Sequence, residues 1–452
     1  MDYDAAIAYL DSLVNYERTG LRREFADEVR LDTIRRLSQL LGNPHEQFAA
    51  VHIAGSKGKG SVAATVEAMA RAGAYRTGLF TSPHIVSPRE RIRIDGEIIS
   101  RDTLVVLVDT VKPAVEKIRD EGAPSPPTFF EVYAAMAFVH FAAEKVDLGI
   151  LETGLGGRFD ATNIVNPLVC AITTLGLDHT EILGDTVEQI AFEKAGIIKS
   201  RVPVVVADNP TSAREVICKR AAEVGAPLIP VPQIVSSTPP ERLPVPDADT
   251  PLPRPLQTVV VRRNGEEFAV QLALTGAHQA INLAAAIGLA DVLHATGYER
   301  IDDEAILTGA RSVEWPARLE IIQARPWVVL DCAHNPQSAE ALAEALPSLI
   351  EYDKLIIVLG VSADKDAAGI AEALAPITDI AVLTHAAMPR ALPVQEFRAQ
   401  TAQYWSEHHA AATTDKALAM AYDFAGPRDC IVVTGSFFVI DEFLQLTGGA
   451  TA

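Results

Sequence analysis

From residue 50 onward, short apolar runs rich in Val, Ile and Leu alternate with longer alanine-rich amphipathic stretches. Strands of a buried parallel sheet and their crossover helices produce this alternation, because such strands are covered on both faces and the helices on one. It predicts strands over 49–55 (AAVHIAG), 146–154 (VDLGILETG), 169–176 (VCAITTLG) and 202–208 (VPVVVAD), with helices over 61–73 and 129–145. A second rhythm follows Trp315 and Pro316: PWVVLDCAH, a helical QSAEALAEAL, then KLIIVLGV, IAVLTHA and CIVVTGS. The expected class is α/β, with one domain over 1–313 and a smaller one over 317–452. A length of 452 residues suits more than one domain, since single domains run to ~100–200. Prolines crowd 227–255; because proline fixes φ and removes a ladder donor, the segment reads as loop or sheet edge, an insertion decorating the first domain.

The net charge of −20 sets this surface against phosphate backbones and anionic lipid, which excludes nucleic acid and membrane as main partners. Cys170, Cys218, Cys332 and Cys430 lie far apart with no C-x-x-C pair, and so read as reduced thiols. The first twenty residues hold no basic stretch ahead of an apolar one, and no run approaches the ~20 apolar residues of a membrane span. A cytoplasmic location is the expectation.

Candidate chemistry sits where the apolar runs end. Gly55-Ser56-Lys57-Gly58-Lys59-Gly60-Ser61 lies between a predicted strand and a predicted helix. Glycines let backbone N–H groups turn inward, the helix start adds positive dipole, and Lys59 brings a full charge for the β- and γ-phosphates of a nucleoside triphosphate. Gly60 intervenes before Ser61, a departure from the G-x4-G-K-[ST] spacing. A flexible basic turn is the bland alternative, weakened by the flanking strand and helix. A second strand ends in Glu152 and runs into the glycine-rich 153–163 loop, at the edge where open α/β sheets bind ligands. Asp178-His179 follows the next strand onto that edge, and Thr81-Ser82-Pro83-His84 follows another. The Glu152 carboxylate and Ser82 hydroxyl suit magnesium, which prefers oxygen; a ligand at His179 is chemically unusual for it.

Taken together with TFFE (128–131), EKAGIIK, GAHQAINLAAA, WPARLE, LDCAHNP and VTGS, in that order, these motifs resemble the Mur ligase superfamily, and within it the folylpolyglutamate synthase and dihydrofolate synthase family. The resemblance implies a P-loop ATPase domain followed by a Rossmann-like domain, with ATP and substrates enclosed between them. It carries magnesium ligands onto Ser82, Glu152 and His179, and a carbamylated lysine onto Lys194, whose carbamate would hold a second magnesium. Read without that modification, Lys194 is an ordinary salt-bridge or surface lysine. The resemblance also places nucleotide contacts at Gly55, Gly58, Lys59, Gly60, Ser61, Asn282, Arg318, Asp331 and His334, and the pteridine substrate near Thr128, Phe159 and Asp160.

The activity implied is ATP-dependent addition of L-glutamate to a folate or dihydropteroate carboxylate through an acyl phosphate, by a monomer, with Lys59, His179 and Lys194 in the catalytic group. Two rivals stay open: a superfamily ligase for another carboxylate, and a nucleotide switch that links nothing. Ser56-Lys57 stands where relatives commonly show Thr-Asn, which adds a cation near the phosphates. Ala317 and Cys332 replace usual glycines, and the stretch 19–44 matches the family only loosely.

Overall fold

The computed structural model describes residues 1–19, 31–122, 125–245 and 252–448. Part of the loosely matching stretch, residues 20–30, therefore lies outside the described residues. The first sheet holds β1 (Ala50–Ala54), β2 (Thr77–Phe80), β3 (Ile92–Ile94), β4 (Glu97–Ile98), β5 (Leu148–Glu152), β6 (Val169–Ile172), β7 (Val204–Val206) and β8 (Leu228–Pro230). Their order is β4-β3-β2-β5-β1-β6-β7-β8, parallel from β2 to β8, with β3 and β4 antiparallel at one edge. Successive side chains of a strand leave by opposite faces, so β1 feeds two cores. Val51 and Ile53 join the apolar residues of the helix Lys59–Ala72 on one face, and Ala50 joins those of the helix Phe129–Glu144 on the other.

A small antiparallel sheet of β9 (Gln233–Thr238), β10 (Gln257–Arg263) and β11 (Glu266–Leu272) covers the first domain's flank. The apolar rhythm did not predict it. The readable signal is Asn264-Gly265, both at positive φ, which forms the tight turn of a hairpin whose inward residues Val259 and Val261 are buried.

The second sheet holds β12 (Glu320–Ala324), β13 (Trp327–Leu330), β14 (Leu355–Leu359), β15 (Ile380–Leu383), β16 (His408–Ala410) and β17 (Cys430–Thr434), in the order β12-β13-β17-β14-β15-β16. All pairs but β12–β13 are parallel. Predicted strands are found, but shorter than the apolar runs: 146–154 becomes 148–152. The trimmed carboxyl ends are the loops that carry the candidate chemistry.

The proline-rich segment supplies β8 and β9, each at a sheet edge as expected. The expectation that it decorates the first domain alone needs correction. Leu243 forms a parallel bridge with Ile350 of the second domain: its N–H donates to the Leu349 carbonyl at 2.9 Å and its carbonyl accepts from the Glu351 N–H at 2.8 Å. Leu243 and Val245 pack on the second domain's core, because the apolar edge there needs cover. Residues 246–251 of the segment lie outside the described residues. No helix among the described residues is long and apolar enough to cross a membrane.

Candidate active site between two sheets

The loop after β1 is clamped from outside. A side chain on Gly55 would place its Cβ 1.7 Å from Thr173 Oγ1, and one on Gly58 would meet Asn282 Oδ1 at 2.1 Å. Gly58 also sits at φ +80°, a left-handed conformation that favours glycine. The N–H groups of Ser56 and Lys57 both donate to the Thr174 carbonyl at 3.0 Å, so they do not turn toward the cleft. The amides of Lys59, Gly60 and Ser61 open the helix and have no carbonyl within it to bond, which makes this first turn an anion site. The expected extra cation at Lys57 is also corrected: its ammonium is taken up by Asp178 at 2.9 Å.

Glu152 ends β5 with a buried carboxyl, and its Oε2 accepts from the Ser82 N–H at 3.2 Å. Burial pushes this carboxyl above its ordinary range, opposed by the Lys59 charge and the Ser82 amide. Lys194 is buried, its amine donating to the Gly55 carbonyl at 2.8 Å. Burial, aided by Lys59, lowers that amine to about 7, within reach of the neutral form. His179 stands at the more exposed rim at φ +51°, its ring 3.9 Å from Asp178. Among the described residues, no three or more His, Cys, Asp or Glu gather closely enough to hold an ion themselves. One carboxylate and one hydroxyl suit magnesium, which keeps several waters and takes phosphate oxygens, rather than an ion needing a full protein cage; the His179 imidazole is an unusual third donor for it.

Of the substrate candidates, Thr128 caps the helix Phe129–Glu144, its hydroxyl donating to Glu131 at 2.8 Å. Asp160 is buried and spends its carboxylate on the loop itself, accepting from the N–H groups of Gly154 at 2.8 Å, Leu155 at 3.0 Å and Thr162 at 3.0 Å. Phe159 is 38% exposed, with the Arg158 guanidinium 4.2 Å from its ring centre.

The second domain brings its own half. Arg318 donates to the Ala317 carbonyl at 2.9 Å and faces the Phe437 ring. Asp331, pushed up to about 6 by burial, accepts from the Leu319 N–H at 2.9 Å. His334 bonds the Cys332 carbonyl at 2.9 Å, and burial holds its ring near 3, so it stays neutral. Asn282, on the first domain's helix Ala277–Ala295, donates to Gln279 at 2.9 Å. One cavity of about 2070 Å³ is lined by Lys59, Glu152, His179, Arg318, Asp331 and His334 alike. That exceeds the ~300–1,000 Å³ of ordinary ligand pockets, leaving room for a nucleotide beside a second substrate.

Sequence reasoning missed Lys365 and Arg390, which follow β14 and β15 into the same cavity. Their position just past strand carboxyl ends was the available signal. It also missed Arg91, 1% exposed, paired with Glu17 and bonded to His84 Nδ1 at 2.8 Å.

Comparison with known proteins agrees along the whole chain. The Mur ligase middle domain matches residues 53–290, and the Mur ligase glutamate ligase domain matches 317–437. The chain is 34% identical to the dihydrofolate synthase/folylpolyglutamate synthase of Bacillus subtilis, over 93% of this chain and 95% of that protein. Its structure resembles Mycobacterium tuberculosis folylpolyglutamate synthase complexed with ADP, with a TM-score of 0.84, 32% identity and 99% of each chain covered. An FPGS–AMPPCP–folate complex aligns with a TM-score of 0.80 at 29% identity, covering 99% of this chain and 100% of that one.

Proposed function

The chain belongs to the folylpolyglutamate synthase and dihydrofolate synthase family of Mur ligases, ATP-dependent enzymes that add glutamate to folates, and from that premise we propose how its residues divide the work. Membership of a ligase family leaves the nucleotide-switch reading without support. The reaction is the joining of the L-glutamate amine to a folate or dihydropteroate carboxylate. An acceptor carboxylate oxygen attacks the γ-phosphorus and ADP departs; the amine nitrogen then attacks the acyl carbon, phosphate leaves and the amine proton passes to solvent. The observation that carries this is the single cavity joining the amide-lined turn at Lys59 to Glu152 and to Arg318, Asp331 and His334.

The triphosphate docks on the first-turn amides of Lys59, Gly60 and Ser61, with Gly55 and Gly58 giving the loop its close approach and Lys59 its charge. Asn282, Arg318, Asp331 and His334 hold the nucleotide from the opposite side. Ser82, Glu152 and His179 would hold magnesium, which when bound neutralises charge on the transferring phosphoryl group. Lys194, with an amine lowered to about 7, is able to take up carbon dioxide as a carbamate and so to serve a second magnesium. The exposed face of Phe159 receives the pteridine, while Thr128 and Asp160 act by holding the helix and the loop around it. Enclosure between the domains excludes water from the acyl phosphate. A single chain supplies all these residues, as a monomer requires, and the four free cysteines suit the reducing cytoplasm. A division at 313–317 is supported by the gap there between the helix Asp303–Ser312 and β12.

Mass spectrometry of products, after incubation with ATP, magnesium, L-glutamate and either dihydropteroate or tetrahydrofolate, tests the reading. One added glutamate on either pterin is the expected result. Glutamylation of a UDP-linked muramyl acid with both pterins untouched overturns it.

A further inference from the structure

Outside the residues assigned to nucleotide, magnesium and acceptor, a series of charged side chains, joined at one link through a backbone carbonyl, crosses between the domains twice. Lys57, in the loop after β1, meets Asp178 at 2.9 Å, and Asp178 meets Lys365 of the second domain at 3.4 Å. Lys365 lies 3.6 Å from Asp364, and Asp364 lies 3.0 Å from Arg390. Arg390 then returns to the first domain, donating to the Glu17 carbonyl at 2.7 Å, while the Glu17 carboxylate clasps the buried Arg91 at 2.9 Å and 2.5 Å.

Three observations separate this series from ordinary surface pairing. Its central members are largely enclosed, with side-chain exposures of 20% for Lys57, 11% for Asp178 and 16% for Lys365. Exposed ion pairs are worth little, whereas in an enclosed pair removing one partner leaves the other charge poorly solvated. Second, Lys365 and Arg390 are mounted rigidly, since the loops after β14 and β15 are tied by a Ser362–Ala391 bridge and by the Ala363 N–H donating to the Arg390 carbonyl at 2.8 Å. Third, the series ends at both kinds of ligand site. Lys57 belongs to the phosphate loop, and the segment holding Glu17 is fixed beside Thr128 through the Phe129 N–H, which donates to the Val14 carbonyl at 2.9 Å.

We propose that Lys57, Lys365 and Arg390 are positioning residues: Lys57 orients Asp178 so that Lys365 can dock on it, and this ionic belt holds the second domain closed over the phosphate loop and the acceptor pocket together. The proposal rests on the ligase reading above and assigns Lys57 a part in closure instead of in holding phosphate. Closure assembles the half of the site that carries Arg318, Asp331 and His334, so loosening it lowers turnover more than it weakens nucleotide binding to the loop.

The test uses the full chain as Lys57→Met, Lys365→Met, the double variant and Lys365→Arg. Kinetics with ATP, glutamate and a folate acceptor are run at low and high salt; AMPPCP binding is measured by calorimetry and the radius of gyration by X-ray scattering. The expected result is a kcat roughly tenfold lower in each single methionine variant, a size common for coupling between sites. The double variant falls no further than Lys365→Met, Lys365→Arg keeps most activity, AMPPCP affinity stays within about threefold, and the methionine variants scatter as larger particles. Wild-type kcat falls only modestly as salt rises, because an enclosed belt is screened much less than surface pairs. A Lys57→Met variant that loses AMPPCP affinity while Lys365→Met is silent overturns the proposal in favour of a phosphate contact. So do single effects that multiply in the double variant, or scattering curves that superimpose on the wild type. If the wild type makes no folate product, the ligase reading fails, while the scattering arm still decides the belt.

Discussion

In the first domain, the turn that carries Lys59 to the cleft is made with glycines: Gly58 takes the left-handed φ of +80°, and Gly55 packs on Thr173 with no room for a methyl group. In the second domain the corresponding turn, which presents Arg318, is made of ordinary residues held left-handed, Ala317 at φ +52° and Leu319 at φ +49°. A side-chain-bearing residue in that region costs roughly 1–2 kcal/mol, so something must hold it there. Two carboxylates do: Glu320 accepts from the Ala317 N–H at 2.8 Å and Asp331 from the Leu319 N–H at 2.9 Å. The first half of the site is shaped by what its residues lack, the second by what neighbouring acids grip. Asp331 therefore both braces the Arg318 turn and lines the cavity between the domains.

The largest effect expected from breaking this comparison lies in the first half. Lys59→Ala should abolish measurable product formation, on the order of 10³-fold, with an unchanged thermal midpoint, since a full charge at the phosphates is lost and no packing is. Product formation and thermal melts of the purified variant check it. Glu152→Ala should lower activity roughly tenfold to a hundredfold and raise the magnesium concentration for half-maximal rate, checked by a magnesium titration. In the second half, Asp331→Ala should raise the KM for ATP about tenfold and also lower stability by about 1–3 kcal/mol, because the Leu319 amide loses its acceptor. A KM change without any stability change would show that the turn holds itself. Smaller still is the response to carbon dioxide. With its amine lowered to about 7, Lys194 is mostly neutral above that pH and protonated below it, and only the neutral amine adds carbon dioxide. Removing bicarbonate should cut the rate several-fold at pH 8, and restoring it should rescue less at pH 6, as initial rates in degassed buffers will show. Smallest of all, Ala317→Gly should stabilise the chain by at most about 1 kcal/mol, strain relief being offset by glycine's entropy, as read from denaturant midpoints.

How much of this was legible in the sequence depends on the distance over which a residue's role is decided. Gly55, Gly58 and Lys59 were readable because strand, loop and helix start lie within one short stretch, and Glu152 because a strand end announces itself. The partner of Lys57 was not: Asp178 lies 121 residues away, and Lys365 is 187 residues beyond Asp178. Local spacing carries no trace of such meetings, so Lys57 looked like a phosphate contact when read beside Lys59. Asp160 was read as a cleft residue and does line the cavity, yet its burial and its three backbone donors are tertiary facts. The hairpin of β10 and β11 was missed for a different reason: its Asn-Gly turn was visible, but it lies just past the proline-rich 227–255 and its strands mix charged residues with the apolar ones, so it did not stand out as an apolar run.

The bridge at Leu243 bears on how this protein can be divided. A fragment cut in the linker to isolate residues 317–452 would leave the Leu349 carbonyl and the Glu351 amide without their partner, and would bare the apolar surface that Leu243 and Val245 now shield. Cutting there severs a strand-like contact along with a tether. The second domain thus borrows part of its finish from a segment that precedes it by more than seventy positions, and an excised piece would go without that finish.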